Sequence, residues 1–113
     1  GRWRRFLVSQ LRLTSQDSVL DVCTGTGLVA IDIAKRKGCG VIGVDLSDRM
    51  IEQAQSNVQA LGLAPSIALV KGRAESLPFP DHSFDAVVFT FLHFQPQFRC
   101  IDRVGEGFKD GRS

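Results

Sequence analysis

The chain has 113 residues, 43% hydrophobic and 23% charged, with a net charge of +2. That is the balance of one soluble globular domain with a modest core, and the charge is too small to argue for nucleic acid or an anionic membrane as a partner. The longest apolar run, "AVVFTFL" (Ala86–Leu92), is far short of the ~20 residues of a membrane helix, and "GRWRRFLVSQ" at the start lacks the apolar core of a secretory signal.

Trp3, Phe6, Leu7 and Leu11 recur at helical spacing, so 2–13 is expected as an amphipathic helix with an arginine-rich outer face. "TSQD" (Thr14–Asp17) breaks it, and 19–23 reads as a buried strand. A helix over 28–37 is stopped by Gly38 and Gly40. A second strand covers 41–45. Ser47 is placed to N-cap a helix over 48–61, with Gly62 just past its end. A third strand covers 67–71 and a fourth 86–91. Between them "GRAESLPFPDHSFD" holds two prolines and reads as a long loop. Strands alternating with helices predict an α/β fold: a Rossmann-like, doubly wound parallel sheet with right-handed crossovers and helices on both faces. Cys23, Cys39 and Cys100 are odd in number and far apart, with no C-x-x-C or Cys/His cluster. Free thiols in a reducing cytoplasm and no metal site are the expectation.

Ligands of such sheets bind beyond the carboxyl ends of the strands. Three features converge there: the turn after Cys23, Asp45, and the loop after Lys71. In "VLDVCTGTGLVAIDIA" (Val19–Ala34), Gly25, Gly27 and Ala30 match G-x-G-x-x-G/A, the pyrophosphate fingerprint. Asp21, inside the strand that feeds this turn, argues against a pyrophosphate. A carboxylate would repel it, most of all in a partly desolvated pocket. S-adenosylmethionine carries an ammonium and a sulfonium at its methionine end, which Asp21 would attract. Glycines remain useful, since their lack of Cβ lets that end approach the backbone. Asp45 can accept from ribose hydroxyls of either cofactor, so it does not discriminate.

At these residues the chain resembles a known family. "VLDVCTGTG" is similar to motif I of the class I S-adenosylmethionine-dependent methyltransferases. "GVDLSDRMIEQA" resembles their second-strand motif and following helix. "AESLPFPDHSFDAVVFTFLHF" resembles the next two motifs of the branch containing the ubiquinone/menaquinone biosynthesis methyltransferases, and "WRR" (Trp3–Arg5) is also similar to that branch. The resemblance runs from Trp3 to His93. It implies that Asp21, Gly25 and Gly27 meet the methionine part of the cofactor, with Cys23 and Thr26 in the same turn. Asp45 would hold the ribose diol, and Leu46 would pack on the adenine face. The Ala74 N–H would meet an adenine nitrogen, with Arg73 and Glu75 flanking it, and Phe89 and Thr90 would line the sulfonium side. The methyl acceptor implied is a small molecule, a quinone precursor at family level, with His93 as the candidate base and no nucleic acid as partner.

The sequence departs from the family in three places. Cys23 stands for the first glycine of G-x-G-x-G. Arg73 stands where members often carry an acid, and it cannot accept from the adenine amino group. The tail 92–113 lacks the family's regular helix and following strand. One domain over 1–113, an incomplete core of about four strands, is therefore expected. The resemblance implies the order 3-2-1-4, which would leave "AVVFTF" as an exposed edge inviting homo-oligomer formation. Two further readings stand beside methyl transfer. A nicotinamide- or flavin-linked oxidoreductase keeps the glycines and Asp45 but leaves Asp21 unexplained. A truncated, non-catalytic half-domain for weak cofactor binding or assembly is favoured by the tail. The arginine cluster (Arg2, Arg4, Arg5) reads as a solvated helix face, and Cys23 as a small packing residue rather than a nucleophile.

Overall fold

The computed structural model describes residues 2–80, 83–91 and 97–101. Three helices, α1 (Arg2–Ser9), α2 (Leu28–Lys37) and α3 (Asp48–Ala60), accompany five strands. The strands are β1 (Ser18–Val22), β2 (Gly40–Asp45), β3 (Ile67–Lys71), β4 (Ala86–Phe91) and β5 (Gln97–Ile101). The first four match the strands read from the sequence to within a residue at each end. α1 is shorter than its spacing predicts, and the chain turns through a Leu11 N–H to Val8 carbonyl bond of 3.1 Å while Leu11 stays buried. α2 ends at Gly38, whose φ of 71° lets its N–H reach the Ala34 carbonyl. α3 opens on Ser47, whose hydroxyl accepts from the Met50 N–H.

The sheet order is β3-β2-β1-β4-β5. β1, β2, β3 and β4 are parallel, and β5 runs antiparallel to β4, pairing Val87 with Ile101 through Phe91 with Gln97. The order 3-2-1-4 is as expected. The exposed edge is not: β5 occupies the flank of β4, so the proposed association through a bare fourth strand loses its basis. The pairing depends on what β4 offers across the sheet, and no local periodicity in "QFRCI" announces it.

Alternation along the strands builds two cores. Val19, Val41, Ile67, Ala86 and Val88 face the helices and pack with Val8, Ile31, Ile33 and Val58. Leu20, Val22, Val44 and Val87 face the other way, where Leu77, Phe79 and Phe84 from the β3–β4 loop cover them. Phe79 and Phe84 meet edge to face at 5.1 Å. The crossovers β1–β2 and β2–β3 step in the same direction, so α2 and α3 share a face. The return from β3 to β4 crosses the opposite face as a proline-containing loop. Among the described residues, all three helices therefore lie on one side of the sheet. Asp85 anchors the end of that loop: its carboxylate accepts from the Ser18 N–H at 2.8 Å, and its own N–H donates to the Ser18 carbonyl at 2.9 Å.

Candidate functional site

The turn from β1 to α2 is bent by three residues of positive φ: Cys23 (62°), Gly25 (59°) and Gly27 (83°). Glycine adopts this region freely, whereas Cys23 does so against its own Cβ. Four groups hold the turn. The Thr24 N–H donates to the Val44 carbonyl at 2.9 Å, and the Thr24 hydroxyl donates to Asp21 Oδ2 at 2.8 Å. The Gly25 N–H donates to Asp45 Oδ2 at 2.9 Å. From α3, Asn57 Nδ2 donates to the Thr26 carbonyl at 2.9 Å. Gly43 on β2 makes room for this arrangement. A Cβ there would stand 2.8 Å from Thr24 Oγ1 and 3.0 Å from Leu69 Cδ2.

Asp45 ends β2 and joins three segments. Oδ2 takes the Gly25 N–H and Oδ1 takes the Ser47 N–H, each at 2.9 Å, while its backbone carbonyl accepts from the Gly72 N–H at 3.1 Å. A carboxylate has about four acceptor positions, so two remain for a ligand. Next to it lies a cavity of about 120 Å3, lined by Cys23, Asp45 and Leu46 and by Arg73, Ala74 and Glu75 from the segment after β3. A whole small-molecule pocket is ~300–1,000 Å3, so this one suits a single ring system. Leu46 is 54% exposed and offers an apolar side chain at the rim. The Cys23 thiol is held above its ordinary pKa, first by burial and then by the carboxylates of Asp45, Asp21 and Glu75. It stays protonated at neutral pH and is no nucleophile there.

Six candidates from the sequence, Cys23, Asp45, Leu46, Arg73, Ala74 and Glu75, thus meet at one cavity, with Gly25, Thr26 and Gly27 in the adjoining turn. Asp21 lies beneath that turn, fully buried. Phe89 packs half-buried on the core face away from the helices. Thr90 is placed by the β4 ladder near the carboxyl end of the sheet. His93 falls outside the described residues. The sequence reading missed Val22, Val44 and Gly72 in the cavity wall, and Thr24, Gly43 and Asn57 as supports. Strand alternation is enough to find the two valines. The supports become visible only when β1, β2 and α3 are brought together. Among the described residues no cluster of potential metal ligands occurs.

Residues 19–110 match the family model described as "Methyltransferase domain". The chain is 39% identical over 92 residues to the ubiquinone/menaquinone biosynthesis C-methyltransferase UbiE of Geotalea uraniireducens, covering 80% of this chain and 39% of that protein. It is 36% identical over 91 residues to a demethylmenaquinone methyltransferase of Lactobacillus johnsonii, covering 79% and 37%. The chain therefore spans about two fifths of the length of these relatives. Among solved structures it is similar to the YcgJ protein of Bacillus subtilis, with 31% identity and a TM-score of 0.71 over 79% of this chain and 38% of that one. It is also similar to the [4+2]-cyclase SpnF, with 28% identity and a TM-score of 0.71 over 76% and 32%.

Proposed function

Because the chain belongs to the class I S-adenosylmethionine-dependent methyltransferases, we propose that it contributes the cofactor-binding half of an enzyme that methylates a small molecule. S-adenosylmethionine, when bound, supplies a methyl group already activated on a sulfonium. The chain's own residues bind, orient and exclude water, which is most of what in-line transfer asks of a protein. Asp45 carries this reading. Its carboxylate is fixed by two backbone N–H groups at the cavity wall, and its remaining lone pairs match a ribose diol. The cavity beyond it, with apolar Leu46 at the rim and Ala74 in its lining, suits the adenine. The glycine turn gives the methionine end close access to backbone. Asp21 beneath it adds negative charge, which favours the cationic end and disfavours a phosphate. The nicotinamide or flavin reading is set aside: the matched family is a methyltransferase family, and Asp21 has no use in it.

The relatives' names support a quinone-type acceptor methylated at carbon. No described helix is long and apolar enough to cross a membrane. The similarity to a protein named as a [4+2]-cyclase, a reaction that moves no methyl group, supports one second reading, in which this fold serves a reaction other than methyl transfer. Calorimetry with S-adenosylhomocysteine tests the site. Asp45→Ala should weaken binding by at least ~1.5 kcal/mol, about tenfold, as expected for a lost charged hydrogen bond. Unchanged affinity defeats the assignment. Transfer of labelled methyl to a demethylated quinone separates the two readings.

A further inference from the structure

Asn57 is the tenth of the thirteen residues of α3, inside the helix, where asparagine is a poor helix former, and its side chain is only partly exposed. Both ends of its amide are nonetheless bonded. Oδ1 accepts from Gln53 Nε2 at 3.1 Å, and Nδ2 donates to the Thr26 carbonyl at 2.9 Å, across 31 residues of sequence. The Thr26 carbonyl, which can only accept, settles which way the amide points. Reversed, the amide would set its oxygen against that carbonyl and lose the bond. Ala54, on the same helix face three residues earlier, backs the next residue of the turn. A Cβ on Gly27 would stand 3.2 Å from Ala54 Cβ. α3 therefore touches the β1–α2 turn twice, at Ala54 and at Asn57. At its own start, Ser47 shares the Asp45 carboxylate with Gly25.

We propose that Asn57 is a positioning residue for the cofactor: by holding the Thr26 carbonyl, it keeps the Gly25–Gly27 turn in the shape that accepts the methionine end. Asn57 does not line the cavity and makes no contact with the cofactor in this scheme. It acts by lowering the conformational cost of binding, so its effect falls on affinity and not on the transfer step. The inference rests on the methyltransferase reading, and it predicts something about the turn that holds whatever the ligand.

Asn57→Asp tests it, because the size is kept while the donor is replaced by an acceptor facing a carbonyl. In the full native chain, S-adenosylhomocysteine should bind at least fivefold more weakly by calorimetry. KM for S-adenosylmethionine should rise with little change in kcat. Without ligand, amide hydrogen exchange should quicken at residues 24–28 while the centre of α3 keeps its protection. Gln53→Ala, which removes the bond to Asn57 Oδ1 and leaves the one to Thr26, should show a smaller change of the same kind. Unchanged affinity overturns the proposal. So does weaker binding that follows a general loss of stability with no local change in exchange. If the unaltered chain binds no S-adenosylhomocysteine, the functional reading fails, and the exchange at 24–28 alone decides whether Asn57 holds the turn.

Discussion

Cys23 sits at φ 62°, where the Cβ of an L-residue crowds its own carbonyl at about 1–2 kcal/mol. Glycine adopts this conformation without that cost, so the chain carries a strain that glycine would relieve. Against the strain stands the thiol's packing in the cavity wall. Cys23→Gly should raise the unfolding free energy by roughly 0.5–1 kcal/mol once glycine's own entropy is counted. Urea denaturation checks it, and a loss would show that the thiol's packing outweighs the strain. Arg73 is the second departure. Its guanidinium has donors and no acceptor, so it cannot receive the adenine amino group. Arg73→Asp should tighten S-adenosylhomocysteine binding or leave it unchanged, and a large loss by calorimetry would show that Arg73 itself holds the ligand. The residue types at the cavity were legible in the sequence because each carries its chemistry locally: acid at a strand end, glycine in a turn. The strain at Cys23 was not, since a backbone angle leaves no mark on residue identity. Nor was the double duty of Asp45, whose bond to Gly25 exists only once β1 and β2 are adjacent.

At the scale of elements, apolar runs and caps located four strands and two of the helices closely. Ser47 and Gly38 act through their nearest neighbours, which sequence order already supplies. What order does not supply is the fit of one element on another. Gly43 shows it. It lies mid-strand with an ordinary negative φ, so nothing in its backbone demands glycine. The demand comes from Thr24 and Leu69, which leave no room for a Cβ. Gly43→Ala should cost about 1–3 kcal/mol, the usual range for overpacking. It should also push the Thr24 hydroxyl off Asp21 and weaken cofactor binding beyond what the loss of stability explains. Thermal unfolding and calorimetry on the same variant check both effects. An alanine variant of normal stability and affinity would mean that β1 and β2 yield more easily than their contact distances indicate.

At the scale of the molecule, the parallel sense of four strands followed from alternating strands and helices, and their order from the resemblance to the methyltransferase family. The fifth strand did not, and it changes how the molecule meets its surroundings. β4 is a run of apolar, β-branched and aromatic residues, the composition of a strand buried on both faces. β1 lies on one flank. On the other, β5 pairs with it over five residues, Val87 with Ile101 through Phe91 with Gln97. Without β5, the N–H and C=O groups along that flank would be unpaired beside apolar side chains, which is a template for another chain. In an antiparallel ladder successive residues point their backbone groups alternately toward and away from the partner. Of two neighbours such as Arg99 and Cys100, one therefore donates to β4 and the other faces outward. Proline has no N–H to give. Arg99→Pro and Cys100→Pro, made separately in this 113-residue chain, should behave differently. The variant that removes the inward donor should uncover β4 and associate with rising concentration by light scattering. The other should remain closer to the unaltered chain in size and stability. If both keep its size and its resistance to urea, β5 is not what protects the flank of β4, and the sheet ends by some other means.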